Sequence, residues 1–315
     1  MYPLVYISVL NWNAAHKTIA CVKSINTLDY PRFTVIIVDN GSSDDSVAQL
    51  REEFPEAELI CAEHNLGYAG GNKLALDRAL QDESAELFWI LNNDTIVQPS
   101  SLSALVSAYQ QWGEGIYGSV PITHGSDGQA LINNSYFEFV DTRHTRLTMR
   151  KLINRPLLEY FPSLFPKVVA SVPGSAMAIP INVVKLHGFM DTSFFLYGED
   201  SEYCLRLFQK GIPSIIVPES QVIHERGGSG LKRRGLSAIM HYYRTRGRLI
   251  IYREYVGRWR YFLEVIRMSF FVFVCCTRVF KDGSQALLSG YYTLIGIYDG
   301  VQGKRGKRFA PEDYF

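Results

Sequence analysis

The sequence predicts an α/β protein with a mostly parallel central sheet, extended at its carboxyl end by basic helices. Three observations predict it. Apolar, β-branched runs alternate with stretches of helical periodicity through the first hundred residues, polar residues stand where those runs give out, and positive charge gathers beyond residue 231. Repeated β-α units imply right-handed crossovers with helices on both faces of the sheet.

Residues 4–10 are apolar and β-branched and read as the first strand; residues 15–28 carry apolar side chains at helical spacing. Residues 33–38 form a second strand closed by Asp39, after which Ser42, Ser43 and Asp44 offer helix caps. A third strand at 59–62 leads through Asn65-Leu66-Gly67-Tyr68-Ala69-Gly70-Gly71-Asn72 into a helix running to about Gln81. A fourth strand, 86–91, gives out at Asn92-Asn93-Asp94, at a carboxyl end beside the crevice where open α/β sheets bind ligands. From 122 to 171 the rhythm is lost. A strand at 168–172 then precedes Gly174-Ser175 and a further run at 176–179, and residues 201–210 have helical periodicity with Glu199 and Asp200 at their amino end.

The turn after the first strand is Asn11-Trp12-Asn13-Ala14-Ala15, which lacks the glycines a dinucleotide fold needs for backbone to approach a pyrophosphate. The chain also has no Gly-x-x-x-x-Gly-Lys-Ser/Thr loop. Asp39 can accept hydrogen bonds from a pyrimidine ring NH or from ribose hydroxyls, or it can cap the next segment. Asp94 and His224 have the chemistry to share a divalent cation; read singly, one is a helix cap and the other a half-buried histidine. Small residues at Gly174 and Ser175 admit either a sugar or a tightly packed backbone.

Taken together, Ser8-Val9-Leu10-Asn11-Trp12-Asn13, Val38-Asp39-Asn40-Gly41-Ser42-Ser43-Asp44, Asn65-Leu66-Gly67 through Asn72, Leu91-Asn92-Asn93-Asp94-Thr95 and Gly198-Glu199-Asp200 occur in order. The set resembles family 2 inverting glycosyltransferases, and within them the rhamnosyltransferase-like group, over roughly residues 3–255. That resemblance implies a GT-A fold, a nucleotide-diphosphate sugar donor (dTDP- or UDP-linked), magnesium or manganese, and a glycan or lipid-linked acceptor. Carried onto this chain, it implies that Asp39 pairs with the donor's base, with Asn11, Asn13, Asn72 and Asn93 lining the nucleoside pocket. Asp94 resembles the last residue of an Asp-x-Asp metal motif whose first acid is here Asn92, and His224 completes the metal shell. Asp200 stands in the place of the catalytic base, with Glu199, Gly174 and Ser175 on the acceptor side.

The chemistry is coherent with those residue types. A bound cation stabilises a departing nucleoside diphosphate, and one carboxylate can take the acceptor hydroxyl's proton as attack proceeds, which suffices for inversion. Two carboxylates straddling the bond would instead indicate hydrolysis, and Glu199 and Asp200 are sequence neighbours. Past His224, a glycine-rich loop carrying Arg226, Ser229, Lys232 and Arg233 has the composition to fold over a diphosphate. Tyr255 stands where processive members carry the glutamine of Gln-x-x-Arg-Trp before Arg258-Trp259, which favours single or limited sugar addition. A sugar nucleotidyltransferase would need a glycine- and basic-rich first loop that residues 11–15 do not supply. A noncatalytic nucleotide-sugar sensor is the remaining alternative.

The overall charge of +1 hides an asymmetry, since residues 232–308 hold 16 Lys and Arg against 4 Asp and Glu, an excess of +12, leaving −11 elsewhere. Basic residues interleaved with Trp259, Tyr261, Phe262, Phe270, Phe271 and Phe273 suit an anionic membrane surface, and the Lys304-Arg305-Gly306-Lys307-Arg308 tail is expected to reinforce it. Nothing resembles a nucleic-acid-binding module. The apolar run 268–277 is half the length a bilayer span requires. Hydrophobic residues make up 47% of the chain, enough for a substantial core, and five cysteines without metal-site spacing fit a reducing compartment. The expected organisation is a catalytic domain over 1–230, divided into a nucleotide-sugar half (1–120) and an acceptor half (121–230), then a helical, membrane-associating region over 231–315. The expected location is the cytoplasm, peripheral at the inner membrane face.

Overall fold

The computed structural model describes residues 2–133, 135–139, 147–224, 234–277 and 283–314. The strands are β1 (Leu4–Asn11), β2 (Phe33–Asp39), β3 (Glu58–Cys61), β4 (Ala85–Asn92), β5 (Thr95–Val97), β6 (Ile116–His124), β7 (Ala130–Ile132), β8 (Ser135–Phe139), β9 (Leu147–Lys151), β10 (Arg155–Pro156), β11 (Lys167–Val169), β12 (Ala176–Pro180) and β13 (Ser214–His224). The helices are α1 (Ala15–Ile25), α2 (Ser46–Glu53), α3 (Gly67–Ala79), α4 (Ser101–Trp112), α5 (Leu157–Tyr160), α6 (Ile181–His187), α7 (Glu199–Phe208), α8 (Arg234–Ile251), α9 (Arg258–Thr277) and α10 (Ser284–Gln302).

The sheet runs β10-β7-β6-β12-β4-β1-β2-β3. Strands β3, β2, β1 and β4 are parallel, as their near-continuous apolar runs require when helices cover both faces. Alternation along β1 sends Val5, Ile7 and Val9 to one core layer and Tyr6 to the other. The first layer packs α1 and α4 through Cys21, Val22, Ile25, Leu102 and Leu105; the second packs α3, α6 and α7 through Ala75, Leu76, Val183, Tyr203 and Leu207.

Two departures from simple β-α winding build the site. Strand β12 runs antiparallel between β4 and β6, with Ala176 opposite Leu91, so the preceding Gly174-Ser175 arrives at the carboxyl end of β4. Strand β13 pairs antiparallel with β5, placing His224 opposite Thr95 and hence beside Asp94. The strand expected at 168–172 is shorter, β11 ending at Val169, and the 122–171 segment contains β7, β10, α5 and the β8–β9 hairpin.

After β13 the chain is helical. Helix α8 packs on the residues before α7 through Phe195, Ala238, Ile239, Tyr242 and Tyr243, and Tyr292 of α10 joins that cluster. Among the described residues no helix is long and apolar enough to cross a membrane. One expectation is corrected here: the cations of the 304–308 tail are spent within the protein. Arg305 pairs with Asp191 and Glu254, Arg308 and Lys304 with Asp299, and Lys307 with Glu312. The tail also folds back on the body, the Gly306 amide donating to the Ser193 carbonyl at 2.5 Å.

Candidate active site

A cleft opens at the carboxyl ends of β1, β2 and β4, lined by Trp12, Asn13, Asn40, Tyr68, Asp94 and Tyr197 among others. Below it runs a continuous polar chain. Asn93 Nδ2 donates to Thr18 Oγ1 (3.0 Å), Thr18 Oγ1 donates to Asn11 Oδ1 (2.7 Å), and Asn11 Nδ2 donates to Asp39 Oδ1 (2.8 Å). Ser42 completes it, with its hydroxyl 2.6 Å from Asp39 Oδ1 and its backbone amide 2.9 Å from Oδ2. Buried polar groups must be paired, and here four separate elements pair one another's, which fixes the ends of β1, β2 and β4 relative to α1.

This network refines the nucleoside assignments. Asn13 and Asn93 line the cleft. Asn11 is fully buried and Asp39 is 2% exposed, so both stand behind the wall with hydrogen bonds already made. Asn72 is corrected more sharply. It is fully buried, accepting from the Ser8 hydroxyl (2.9 Å) and donating to the Tyr68 carbonyl (3.0 Å), and so joins β1 to α3 instead of facing the cleft. Asn13 has φ +49°, a conformation Asn tolerates, and its Oδ1 accepts from the Ser43 amide at 2.8 Å.

Asp94 and His224, 130 positions apart, meet at 3.1 Å between Oδ1 and Nε2, with side chains 12% and 19% exposed. A divalent cation takes oxygen donors and accepts imidazole nitrogen. The pair provides one of each at the cleft rim, beside the amides of Asn92 and Asn93. Among the described residues no three His, Cys, Asp or Glu side chains gather to hold a metal. One carboxylate and one imidazole at that spacing fit a divalent cation that takes further ligands from elsewhere. The loop residues Arg226, Ser229, Lys232 and Arg233 lie outside the described residues.

On the other side, Asp200 occupies the first turn of α7. Its Oδ1 accepts from the Ser201 amide (2.7 Å) and its Oδ2 from the Gly174 amide (3.1 Å). These bonds favour the carboxylate, but burial outweighs them and lifts its pKa above the usual aspartate range. Glycine at 174 serves this contact, because a Cβ there would stand 3.0 Å from Asp200 Cβ. The space is filled by the acid itself, which decides between the two sequence readings in favour of tight packing. Ser175 contributes its carbonyl, accepting from the Asn92 amide at 2.9 Å. Glu199, expected against the acceptor, is only 5% exposed and faces the interior. Burial first, and then the Asp200 charge, push its carboxyl up to about 8.

Tyr68 joins the two sides. It lines the cleft with Asp94, and its hydroxyl donates to the Gly174 carbonyl, whose residue holds Asp200. Burial, then the charges of Asp200, Glu199 and Asp94, raise its phenol well above the ordinary value. Sequence reading missed Tyr68 as a site residue, along with Trp12, Asn40 and the α8 residues Leu236 and Met240. Its signal was a tyrosine inside a glycine-rich strand-to-helix turn.

The segment before Asp200 is held in an unusual conformation. Phe195 and Tyr197 have φ of +65° and +61°, and Gly198 has φ +107°. Residues held in this region persist only where the surroundings over-determine them. Here the Phe195 carbonyl accepts from the Tyr68 amide (2.8 Å), fully buried Arg246 donates to the Phe194 carbonyl, and Gly247 lies against Tyr197 and Gly198. Of the three aromatics, Phe194 and Phe195 are core, and Tyr197 reaches the cleft.

Comparison with known proteins gives the family and the fold. A family model described as glycosyl transferase family 2 matches residues 6–165, and one described as glycosyl transferase family group 2 matches residues 87–295. An N-acetylglucosaminyl-diphospho-decaprenol L-rhamnosyltransferase of Mycobacterium tuberculosis is 26% identical over 213 residues, covering 62% of this chain and 67% of the relative. A dTDP-rhamnosyl transferase, RfbF, of Shigella flexneri is 21% identical over 258 residues, covering 79% and 80%. The mannosyltransferase PcManGT of Pyrobaculum calidifontis, solved with GDP-Man and Mn2+, shares the fold with a TM-score of 0.55 at 14% identity, covering 96% of this chain and 88% of that one.

Proposed function

The chain belongs to glycosyl transferase family 2, and from that membership we propose a metal-dependent enzyme that moves a sugar, with inversion, from a nucleotide-diphosphate donor to a hydroxyl of a glycan or lipid-linked acceptor in surface-polysaccharide assembly. Rhamnose on a dTDP donor is the favoured sugar, because the two relatives named above are rhamnosyl transferases.

The observation that carries this reading is a link across one cleft: Asp94, paired with His224, lines it beside Tyr68, and the Tyr68 hydroxyl donates to the carbonyl of Gly174, whose amide holds Asp200. Asn13 and Asn93 receive the nucleoside at the rim, above the network that stiffens Asp39 and Asn11. Asp94 and His224 are the residues that would hold magnesium or manganese. When bound, that ion supplies Lewis-acid stabilisation of the departing diphosphate. Asp200 takes the proton of the incoming hydroxyl at its carboxylate. The Ser201 and Gly174 amides keep that carboxylate in one orientation, and its raised pKa makes it a better base than a solvated aspartate. Tyr68 and Tyr197 line the cleft that would take the donor. With a single base on the side away from the leaving group, the anomeric configuration inverts.

The test is Asp200→Asn. Donor with manganese should still raise its melting temperature as in the wild type, since a ligand bound only by the folded state stabilises it. Transfer should fall by roughly 10² to 10⁴, the usual contribution of a positioned base. Transfer at the wild-type rate would remove Asp200 from the mechanism.

A further inference from the structure

Large hydrophobic side chains are exposed very unevenly over this protein. Among the described residues 17 are substantially exposed, and 12 of these lie on α9 and α10. On α9 they are Trp259, Phe262, Leu263, Ile266, Phe270 and Phe273, with Trp259 70%, Phe270 63% and Phe273 62% exposed. At 100° per residue these positions fall in one stripe about 100° wide. It lies opposite the side carrying Glu264 and Cys275, which are the buried residues of this helix. Helix α10, packed against α9 where Gly290 meets Cys275, carries a second stripe running from Leu287 through Tyr291, Leu294 and Tyr298 to Val301. Scattered exposed apolar residues are normal on any surface, but two apolar stripes on neighbouring helices are not.

The charges of these helices decide what covers the stripes. Arg258 flanks the α9 stripe on one edge and Arg260 and Arg267 on the other, by helical position. The only carboxylates of the two helices, Glu264 and Asp299, are 5% and 1% exposed and already engaged: Glu264 with Arg248 and Arg267, Asp299 with Arg308 and Lys304. A second copy docked on this face by twofold symmetry would bring more cations and no free acid to meet them. An anionic phospholipid surface supplies both requirements, an apolar phase for the aromatics and negative headgroups for the arginines.

We propose that the α9 and α10 stripes form an interfacial membrane-binding face, in which Trp259, Phe262, Phe270 and Phe273 enter the headgroup–acyl boundary and Arg258 and Arg260 contact anionic headgroups. The proposal deepens the reading of the site given above, on which its lipid-linked acceptor rests. Helix α10 lies on α8, where Gly296 meets the Tyr242 carbonyl, and α8 gives Leu236 and Met240 to the cleft wall. A bilayer at the stripes therefore sits two helix layers from the cleft, and an acceptor with a membrane-embedded lipid is presented without leaving its own phase. The tail cations are left out of this face, since each is already paired with Asp191, Glu254, Asp299 or Glu312.

The test uses the full chain and sedimentation with vesicles of phosphatidylcholine alone or mixed with phosphatidylglycerol. Wild type should bind the mixed vesicles at least tenfold more strongly than the neutral ones. Phe270→Asp with Phe273→Asp, at exposed positions remote from the cleft, should lower binding at least tenfold, and Arg258→Gln with Arg260→Gln should abolish the preference for anionic lipid. Both variants should keep the wild-type melting temperature and its rise with nucleotide-sugar donor. Equal vesicle binding by wild type and the Asp variant overturns the proposal. So does a wild-type dimer that the Asp variant splits while neither binds vesicles, which would identify a second copy as the occupant. Loss of the donor response in wild type with vesicle binding intact would instead sink the catalytic reading and leave the membrane face standing.

Discussion

Glu199 gives the clearest quantitative expectation. Its carboxyl is 5% exposed, its Oε2 finds no hydrogen-bond partner among the described residues, and Asp200 is its neighbour. These surroundings move it from 4.5 to about 8, with the Arg246 charge offsetting only part of the effect. Between those pH values the folded protein holds a proton that the unfolded chain has released, so stability must fall as pH rises. At 1.36 kcal/mol per pH unit the full excursion amounts to about 5 kcal/mol, complete only above pH 8. Glu199→Gln keeps the shape and remains neutral throughout. Urea unfolding at pH 5.0 and pH 8.5 should therefore show the variant close to wild type at the lower value and more stable by several kcal/mol at the higher one. Transfer at pH 7 should stay within about threefold, because wild-type Glu199 is then already mostly protonated. Parallel stability–pH curves for the two proteins would refute the reasoning, since they would mean that Glu199 ionises in the folded protein as it does in water.

Two further substitutions test the loop and the metal shell. A Cβ at Gly247 would lie 2.1 Å from the Tyr197 carbonyl, so Gly247→Ala should cost about 1–3 kcal/mol in thermal or urea unfolding, the usual penalty of overpacking, and should lower kcat by more than that loss of folded protein explains. Asn92→Asp supplies the acid absent from the Asn92-Asn93-Asp94 turn beside the Asp94–His224 pair, and calorimetric binding of manganese without donor should tighten at least tenfold, or about 1.4 kcal/mol. Unchanged affinity would place the cation elsewhere.

The parts of this fold that local physics determines were legible in the sequence. The first four strands follow from apolar periodicity and their observed bounds lie within one residue of expectation; α1 ends three residues earlier than expected, at Ile25, and α3 begins inside the glycine-rich turn at Gly67 instead of after Asn72. The meeting of Asp94 with His224 was expected from chemistry and resemblance, yet its cause, the antiparallel pairing of β13 with β5, depends on contacts across 130 positions that no local pattern encodes. Asn72 was misjudged for the same reason. A polar residue in a glycine-rich turn looks available until Ser8, 64 positions earlier, is seen to hold it. The basic tail misled in another way, because charge counting treats cations as free and cannot register that Asp191, Glu254 and Asp299 lie opposite them.

The carboxyl-terminal helices belong to the active site as much as to any surface. The segment leading to Asp200 has two non-glycine residues at positive φ, a conformation costing of order 1–3 kcal/mol each. Besides the Tyr68 amide on the Phe195 carbonyl, contacts from α8 and the tail hold it. Arg246 is fully buried, stacks near Tyr242 and Tyr243, and reaches both the Phe194 carbonyl and, at 2.5 Å, the Gly306 carbonyl; Arg305 lies over the Phe194 ring; and Tyr243 accepts from the amides of Arg308 and Phe309. A buried guanidinium bonded to the Phe194 and Gly306 carbonyls ties the tail to the segment before Asp200. The segment before the base is thus held by residues 43 to 109 positions downstream of Asp200. A perturbation of α8 or the tail should consequently register in the orientation of Asp200 before it registers in donor binding, which depends on the network beneath the opposite wall.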